Sequence, residues 1–332
     1  MVTILTHLDA DGICSGSLIK MTKKYKNARV FFTHPAGLAK DLKGINDDLL
    51  ICDIAIDIKS YHKTYALLEK ISQEHEIYYF DHHHLPEALP EKVINIHNES
   101  ISATEIVYRY FYHALPSYAD HIALLGAICD YLDNSPLMKE LLHHYERRTL
   151  FLDAGLLAEG LKKFSHGPNY DDLRKIVQRL SQGEYPCEIR ELTRAALSST
   201  RRDKLQRKNI LENYEKRLNF AYIMDPDAGS RSKVAHWIMG HSGTLLGIVI
   251  IQLRSKPDMV DLTIRGRQLI DLRTIIPEIA QSIGGNAGGH SNAIGCRIPK
   301  NKLNRFLTIL DEKLSQLHIP KPFRIAELIQ FD

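Results

Sequence analysis

The stretch 76–84, EIYYFDHHH, sets a short apolar run against an aspartate and three consecutive histidines. An apolar run of that length, closed abruptly by polar residues, reads as a buried β-strand. Nothing in packing or turn formation asks for three imidazoles in a row. Adjacent side chains in an extended chain point to opposite sides, so Asp81, His82, His83 and His84 cannot together enclose an ion. If the run belongs to a site, its partners lie elsewhere in the chain.

The same pattern recurs upstream. VTILT is followed by His7, Asp9 and Asp11, and LLIC is followed by Asp53, with Asp57 four residues on. If the chain stays extended there, His7, Asp9 and Asp11 project to one side. A core strand would place apolar residues at those positions, because a buried carboxylate without a partner is expensive. Either this face meets water or a cation neutralises it. Helical stretches such as ICSGSLIKMTKKY and KSYHKTYALLEKISQEH separate the strand-like runs. That alternation predicts βαβ units and a parallel sheet, whose strand ends converge on one edge. Asp130, after the apolar run LLGAIC, is expected to join the same convergence, with Asp133 three residues on. Taken singly, each aspartate reads equally well as a cap or turn residue.

Residues from about 104 to 220 carry apolar positions at helical spacing. The stretch 188–219 is highly charged and free of Gly and Pro, and it predicts a long helix between two domains. Beyond it, FAYIMD, LLGIVIIQLR and MVDLTIRG read as strands, followed by a helix, the glycine-rich GGNAGGHSNAIG (284–295) and a final helix. The expected organisation is α/β throughout. A parallel-sheet domain spans 1–187, a helical linker 188–219 and a smaller α/β domain 220–332.

Bulk properties agree with a globular chain. Of 332 residues, 44% are hydrophobic and 25% charged, and no apolar run approaches the ~18 residues of a membrane span. The N-terminus enters a strand directly, so a cytoplasmic protein is the expectation. Five scattered cysteines with no C-x-x-C pair argue against a disulfide framework and a structural zinc site. The net charge of +3 does not by itself call for nucleic acid, although 199–209 is strongly basic. Convergent carboxylates with imidazoles suit Mn²⁺ or Mg²⁺, and their number suits two ions.

The ordered set HLDADG, ICD, DHH and GAICD resembles the four motifs of the DHH phosphoesterase superfamily. That superfamily includes RecJ exonucleases, oligoribonucleases and cyclic-dinucleotide phosphodiesterases. GGNAGGHSNAIG and DLTIRG resemble the GGGH-type loop and arginine-bearing strand of its companion DHHA1 domain, with Ala287 where that family has its first glycine. The resemblance implies an active-site cleft between the two domains. It also implies His7, Asp9, Asp11, Asp53, His82 and Asp130 as ligands of two Mn²⁺ or Mg²⁺ ions, with Asp53 shared. His83 would then face the substrate phosphate, Asp81 would orient its neighbours, and His84 would lie outside the motif. Ser102-Ala103-Thr104 resembles a small-residue helix start near the site, and reads equally as an ordinary N-cap. Arg265, Gly288, Gly289 and His290 would contact substrate.

The spacing H-x-D-x-D-G resembles RecJ-type nucleases, which implies an exonuclease on single-stranded DNA or RNA. The alternative, supported by the chain's length, is a phosphodiesterase acting on very short RNAs or cyclic dinucleotides. Compact RecJ-like chains further suggest a helicase or a replication or repair factor as partner.

Overall fold

The computed structural model describes residues 1–85, 87–164, 170–227, 229–267 and 269–317. Residues 318–332, assigned above to the second domain, lie outside the described residues. In chain order the first unit contains β1 (Val2–Thr6), α1 (Ala10–Met21), β2 (Arg29–Phe32), α2 (Pro35–Asp41), β3 (Asp48–Cys52), α3 (Tyr61–Ile71), β4 (Ile77–Asp81) and β5 (Val93–His97). Helices α4 (Ala103–Phe111), α5 (Ala119–Cys129), α6 (Pro136–Leu142), α7 (Arg147–Phe164) and α8 (Asp171–Ser181) follow. Helix α9 (Arg190–Glu212) leads into β6 (Glu215–Lys216), β7 (Phe220–Met224), α10 (Arg231–Ser242), β8 (Leu246–Gln252), β9 (Met259–Gly266), α11 (Ile276–Ser282), β10 (Asn286–His290), β11 (Ala293–Pro299) and α12 (Leu303–Gln316). The chain divides into two compact units, Met1–Thr200 and Arg201–Asp332, and the division falls inside α9. The helix expected over 188–219 is therefore shorter, stopping at Glu212 before the brief strand β6.

The first unit is built on a five-stranded sheet of order β2-β1-β3-β4-β5, parallel at every pairing. Its strands read as nearly continuous apolar runs because both faces are covered. Ile4, Leu50, Cys52 and Phe80 face a core shared with α1, α4, α5, α7 and α8. Leu5, Leu49, Ile51 and Tyr79 face the opposite core, which is closed by α2 and α3. The chain leaves β1 towards β2 on one side and β3 on the other, so the strand order reverses at β1. In open α/β sheets, ligands bind at the carboxyl ends of strands flanking such a switch.

Strand β5 (VINIH) was not legible in the sequence, since Ile94 and Asn95 are exposed and no apolar alternation survives. At the other edge Arg174 of α8 covers β2. Its Nε donates to the Val30 carbonyl at 2.9 Å, and its guanidinium lies 5.5 Å from the centroid of the Phe31 ring.

The second unit carries a six-stranded sheet of order β10-β11-β9-β8-β7-β6, antiparallel except between β7 and β8. Val260, Leu262, Ile264, Ile294 and Ile298 pack one face against α11 and α12. On the other face Val249 and Ala221 pack against α10 and Ile210. The glycine-rich segment expected to be an open loop is instead the edge strand β10, joined to β11 by the Ser291-Asn292 turn. Among the described residues no helix is long and apolar enough to cross a membrane.

Two glycines set the approach of elements around the carboxyl end of β1. A Cβ on Gly12 would stand 2.6 Å from the His7 carbonyl oxygen, so only glycine lets the chain fold back from β1 into α1. A Cβ on Gly126 would meet Thr104 Oγ1 at 2.2 Å, so α5 packs against α4 only without a side chain there. Gly126→Ala is expected to cost about 1–3 kcal/mol through overpacking, read as a lower midpoint in chemical denaturation.

Candidate metal centre

Strand β1 ends at Thr6, and α1 begins at Ala10. His7, Asp9 and Asp11 are therefore not an extended run with side chains on one side, as the spacing suggested. Asp9 is the N-cap of α1 and accepts from the Gly12 N–H at 3.1 Å, while Asp11 lies in the first helical turn. The carboxylates still gather, because the turn brings them to the carboxyl end of β3.

Asp53 follows β3 at φ +58°, a left-handed conformation that aspartate tolerates better than most residues. That backbone aims its two oxygens in different directions. Oδ2 lies 3.6 Å from His7 Nδ1, which is itself 2.8 Å from Asp9 Oδ2. Oδ1 lies 3.3 Å from His82 Nε2 and 3.9 Å from His83 Nδ1. His82 Nε2 also stands 3.8 Å from Asp11 Oδ2 and 3.6 Å from Asp130 Oδ2. Asp53 belongs to three sets of potential donors, His7–Asp9–Asp53, Asp11–Asp53–His82 and Asp53–Asp81–His83.

Asp11 is fastened by α4. Its Oδ1 accepts from the Thr104 N–H at 2.8 Å and from the Thr104 hydroxyl, and its Oδ2 accepts from the Ala103 N–H at 2.9 Å. A carboxylate against a helix N-terminus gains from both the open N–H groups and the helix dipole. The small residues at 102–104 thus serve two purposes at once. Ser102 caps the helix through the Glu105 N–H, and Ala103 and Thr104 hold Asp11.

Asp130 is not at a strand end; it is the C-cap of α5, and helical periodicity with a cap residue describes it better than a strand. The helix stops in a Schellman motif, with Tyr131 N–H on the Ile128 carbonyl at 3.2 Å and Leu132 N–H on the Ala127 carbonyl at 2.9 Å. Tyr131 fills the left-handed position at φ +60° and is 75% exposed. Glycine is favoured there, so Tyr131→Gly is expected to raise stability by about 1 kcal/mol, measured as a higher denaturation midpoint.

At the end of β4, Asp81 is fully buried, and its Oδ1 accepts from His83 Nδ1 at 2.8 Å. Burial opposes a charged His83 ring, but Asp81 outweighs it and favours the imidazolium. The His83 carbonyl accepts from His97 Nε2 at 2.7 Å, and His84 lies 3.0 Å from Glu99 in an exposed contact. His97 and Glu99, which no motif signalled, thus fasten the Asp-His-His turn to the exit of β5.

Electrostatics show what the cluster lacks. Burial, with Asp9 and Asp11 adding to it, pushes the Asp53 carboxyl well above its ordinary range. Burial likewise raises Asp11, and it brings Asp130 up to about 8 with Asp11 beside it. The His7 ring resists burial but is raised to about 11 by Asp9 and Asp53, and in return His7 holds Asp9 low against its own burial. A proton on His7 therefore supplies the counter-charge of the cation-free cluster. Asp53 Oδ2 is buried and accepts no hydrogen bond among the described residues. Oxygen-rich donors, crowded like charges and an orphaned buried oxygen fit a hard divalent cation.

In the second unit, Ala293 pairs with His290 on β10 and with Arg265 on β9. Directly opposed residues share a face, so His290 and Arg265 project from the same side of the sheet, two strands apart. Arg265 donates through Nε to Ser232 Oγ at 2.9 Å and through Nη1 to the Ile264 carbonyl at 3.0 Å. Gly288 lies opposite Gly295, and Gly289 opposite Ile294 at φ +144°.

Comparison with known proteins agrees with this geometry. Residues 1–129 match the model of the DHH family, N-terminal domain, and residues 221–316 match that of the DHHA1 domain. The chain therefore carries a DHH-family N-terminal domain followed by a DHHA1 domain, with a RecJ-like fold. It is similar to the pGpG-specific phosphodiesterase PggH of Vibrio cholerae, with TM-score 0.60 and 15% identity over 95% of this chain and 99% of that one. An exonuclease RecJ bound to manganese matches with TM-score 0.57 and 17% identity over 99% of this chain and 92% of that one. RecJ of Thermus thermophilus with Mn²⁺ gives TM-score 0.60 and 17% identity, over 97% of this chain but 53% of that one. At these identities the likeness concerns the fold. No curated protein sequence matches significantly.

A cation that binds only the folded cluster stabilises it by about 2.7 kcal/mol at a hundredfold excess over its Kd. Addition of Mn²⁺ is expected to raise the melting temperature accordingly. Asp53→Asn removes the most crowded charge, so the cation-free variant should melt above the wild type and gain nothing from Mn²⁺.

Proposed function

We propose that the chain hydrolyses phosphodiester bonds of single-stranded nucleic acid from an end, with two divalent cations, Mn²⁺ or Mg²⁺. The observation that carries this reading is the placement of Asp53, whose Oδ2 turns to His7 and whose Oδ1 turns to His82 and His83. Cations held there would activate water and offset charge on the attacking and leaving oxygens of an in-line displacement. The chain's own groups supply the rest. Thr104 and the first turn of α4 keep Asp11 from turning away, and Asp81 fixes the orientation of the His83 ring. His83, biased towards its protonated form by Asp81 against its burial, would donate to a non-bridging phosphate oxygen. No side chain acts as a covalent nucleophile in this scheme.

Exposed Arg201, Arg202, Lys204, Arg207 and Lys208 on α9 support a strand longer than a dinucleotide, since clustered cations draw a phosphate backbone. A second reading, a phosphodiesterase confined to very short RNAs or cyclic dinucleotides, is supported by the likeness to the pGpG-specific PggH, of which the match covers 99%.

Incubation with Mn²⁺ and three substrates decides between them: a labelled single strand of a few tens of nucleotides, a dinucleotide and a cyclic dinucleotide. A ladder on the long strand, abolished by Asp53→Ala, is expected, and labelling each end in turn gives the polarity. Cleavage restricted to the dinucleotides would establish the second reading instead. His83→Ala should lower kcat about a hundredfold to ten-thousandfold while leaving Mn²⁺ affinity intact.

A further inference from the structure

Strand β4 pairs with β5 as far as Asp81 and His97, and there the ladder ends. His82, His83 and His84, which follow, lie outside any helix or strand. Backbone beyond the end of a ladder needs other holds, and the exit of β5 supplies them. The Asn98 N–H donates to the Asp81 carbonyl at 3.3 Å, His97 Nε2 donates to the His83 carbonyl at 2.7 Å, and His84 Nδ1 lies 3.0 Å from Glu99. The first of these is long and the last joins exposed groups, so neither holds the turn firmly. The contact from His97 is short and half-buried, and it falls on the residue assigned above to the phosphate.

A histidine that donates to a reacting group has to be fixed at two points. Asp81 Oδ1, 2.8 Å from Nδ1, holds the ring against rotation, so a phosphate oxygen would be met through Nε2. One contact at the ring still lets the Cα shift beneath it. Proton transfer needs the heavy atoms within about 2.6–3.2 Å, and a misplacement of about 1 Å is costly. We propose that His97 is a positioning residue for the reaction: its imidazole N–H, acting through the His83 carbonyl, sets the place from which His83 donates to phosphate. This rests on the phosphodiesterase reading above. A carbonyl only accepts, so His97 Nε2 carries the proton, and another side chain presenting an N–H at that point would serve as well.

The test uses the full chain with Mn²⁺ and whichever of the substrates above the wild type cleaves. His97→Ala should lower kcat roughly tenfold, with KM and the calorimetric Mn²⁺ isotherm unchanged. His97→Gln, whose amide nitrogen reaches nearly the same point as Nε2, should recover most of the loss. In a His83→Ala background neither substitution should change kcat further, because residues that act as a unit are not additive. The imidazole NMR signals of His83 should move in folded His97→Ala and return in His97→Gln. Unchanged kcat in His97→Ala would overturn the proposal. So would an equal loss in the His83→Ala background or a lost Mn²⁺ isotherm, either of which would make His97 a support of the fold alone. If the wild type cleaves none of the substrates, the phosphodiesterase reading fails first, and the role of His97 in catalysis falls with it, whatever the His83 signals show.

Discussion

Like-charge repulsion around Asp53 is the constraint that the first unit is organised to contain. Asp9, Asp11 and Asp130 crowd the same corner, Asp11 buried, Asp130 partly buried and Asp9 at its exposed rim, and each is placed there by a different element. A helix cap holds Asp9, the open N-terminus of α4 holds Asp11, and the C-terminus of α5 carries Asp130. Removing any device would let its carboxylate swing to water, where charge costs least. The glycine at 126 belongs to the same economy of space, since it lets Thr104 of α4 sit close enough to α5 to keep its grip on Asp11.

Much of this was legible in the sequence because parallel strands advertise themselves. Covered on both faces, β1, β3 and β4 appear as unbroken apolar runs, and each run stops where a polar residue begins. What the sequence concealed was the local conformation after the strand. His7, Asp9 and Asp11 looked like an extended comb, yet Gly12 permits an immediate helix, so their convergence comes from a turn and a cap. Asp130 closes a run within the region that helical spacing marked out, and its place beside the other carboxylates as the C-cap of α5 comes from the fold. The edge strands were hardest. β5 is half exposed and lacks alternation, and β10 is glycine-rich and reads as a loop until its partner β11 is known. His97 and Glu99 carry no signal in one sequence, since only the fold brings them to the site's neighbourhood.

The second unit solves a different problem. Its sheet needs apolar cover on one face for α11 and α12, which β9 meets by alternation of Val260, Leu262, Ile264 and Gly266 against Asp261, Thr263 and Arg265. That alternation is what puts Arg265 on the face away from those helices, in register with His290. The arginine's place is therefore set by the period of the strand as much as by chemistry. Arg297 and Asp261, opposed on β11 and β9, pair through two hydrogen bonds on the same face and keep it ordered.

Arg174 has a consequence beyond packing. An outer strand of a parallel sheet ordinarily presents free carbonyls to any passing chain, and that invitation is how soluble proteins begin to form fibres. Here the middle carbonyl of β2 is already engaged, and a bulky planar cation lies over the neighbouring Phe31 ring. An incoming strand would have to evict a guanidinium and then bury it or return it to water. The edge is closed by one side chain instead of by a further strand, so the sheet ends at β2 with that carbonyl already engaged.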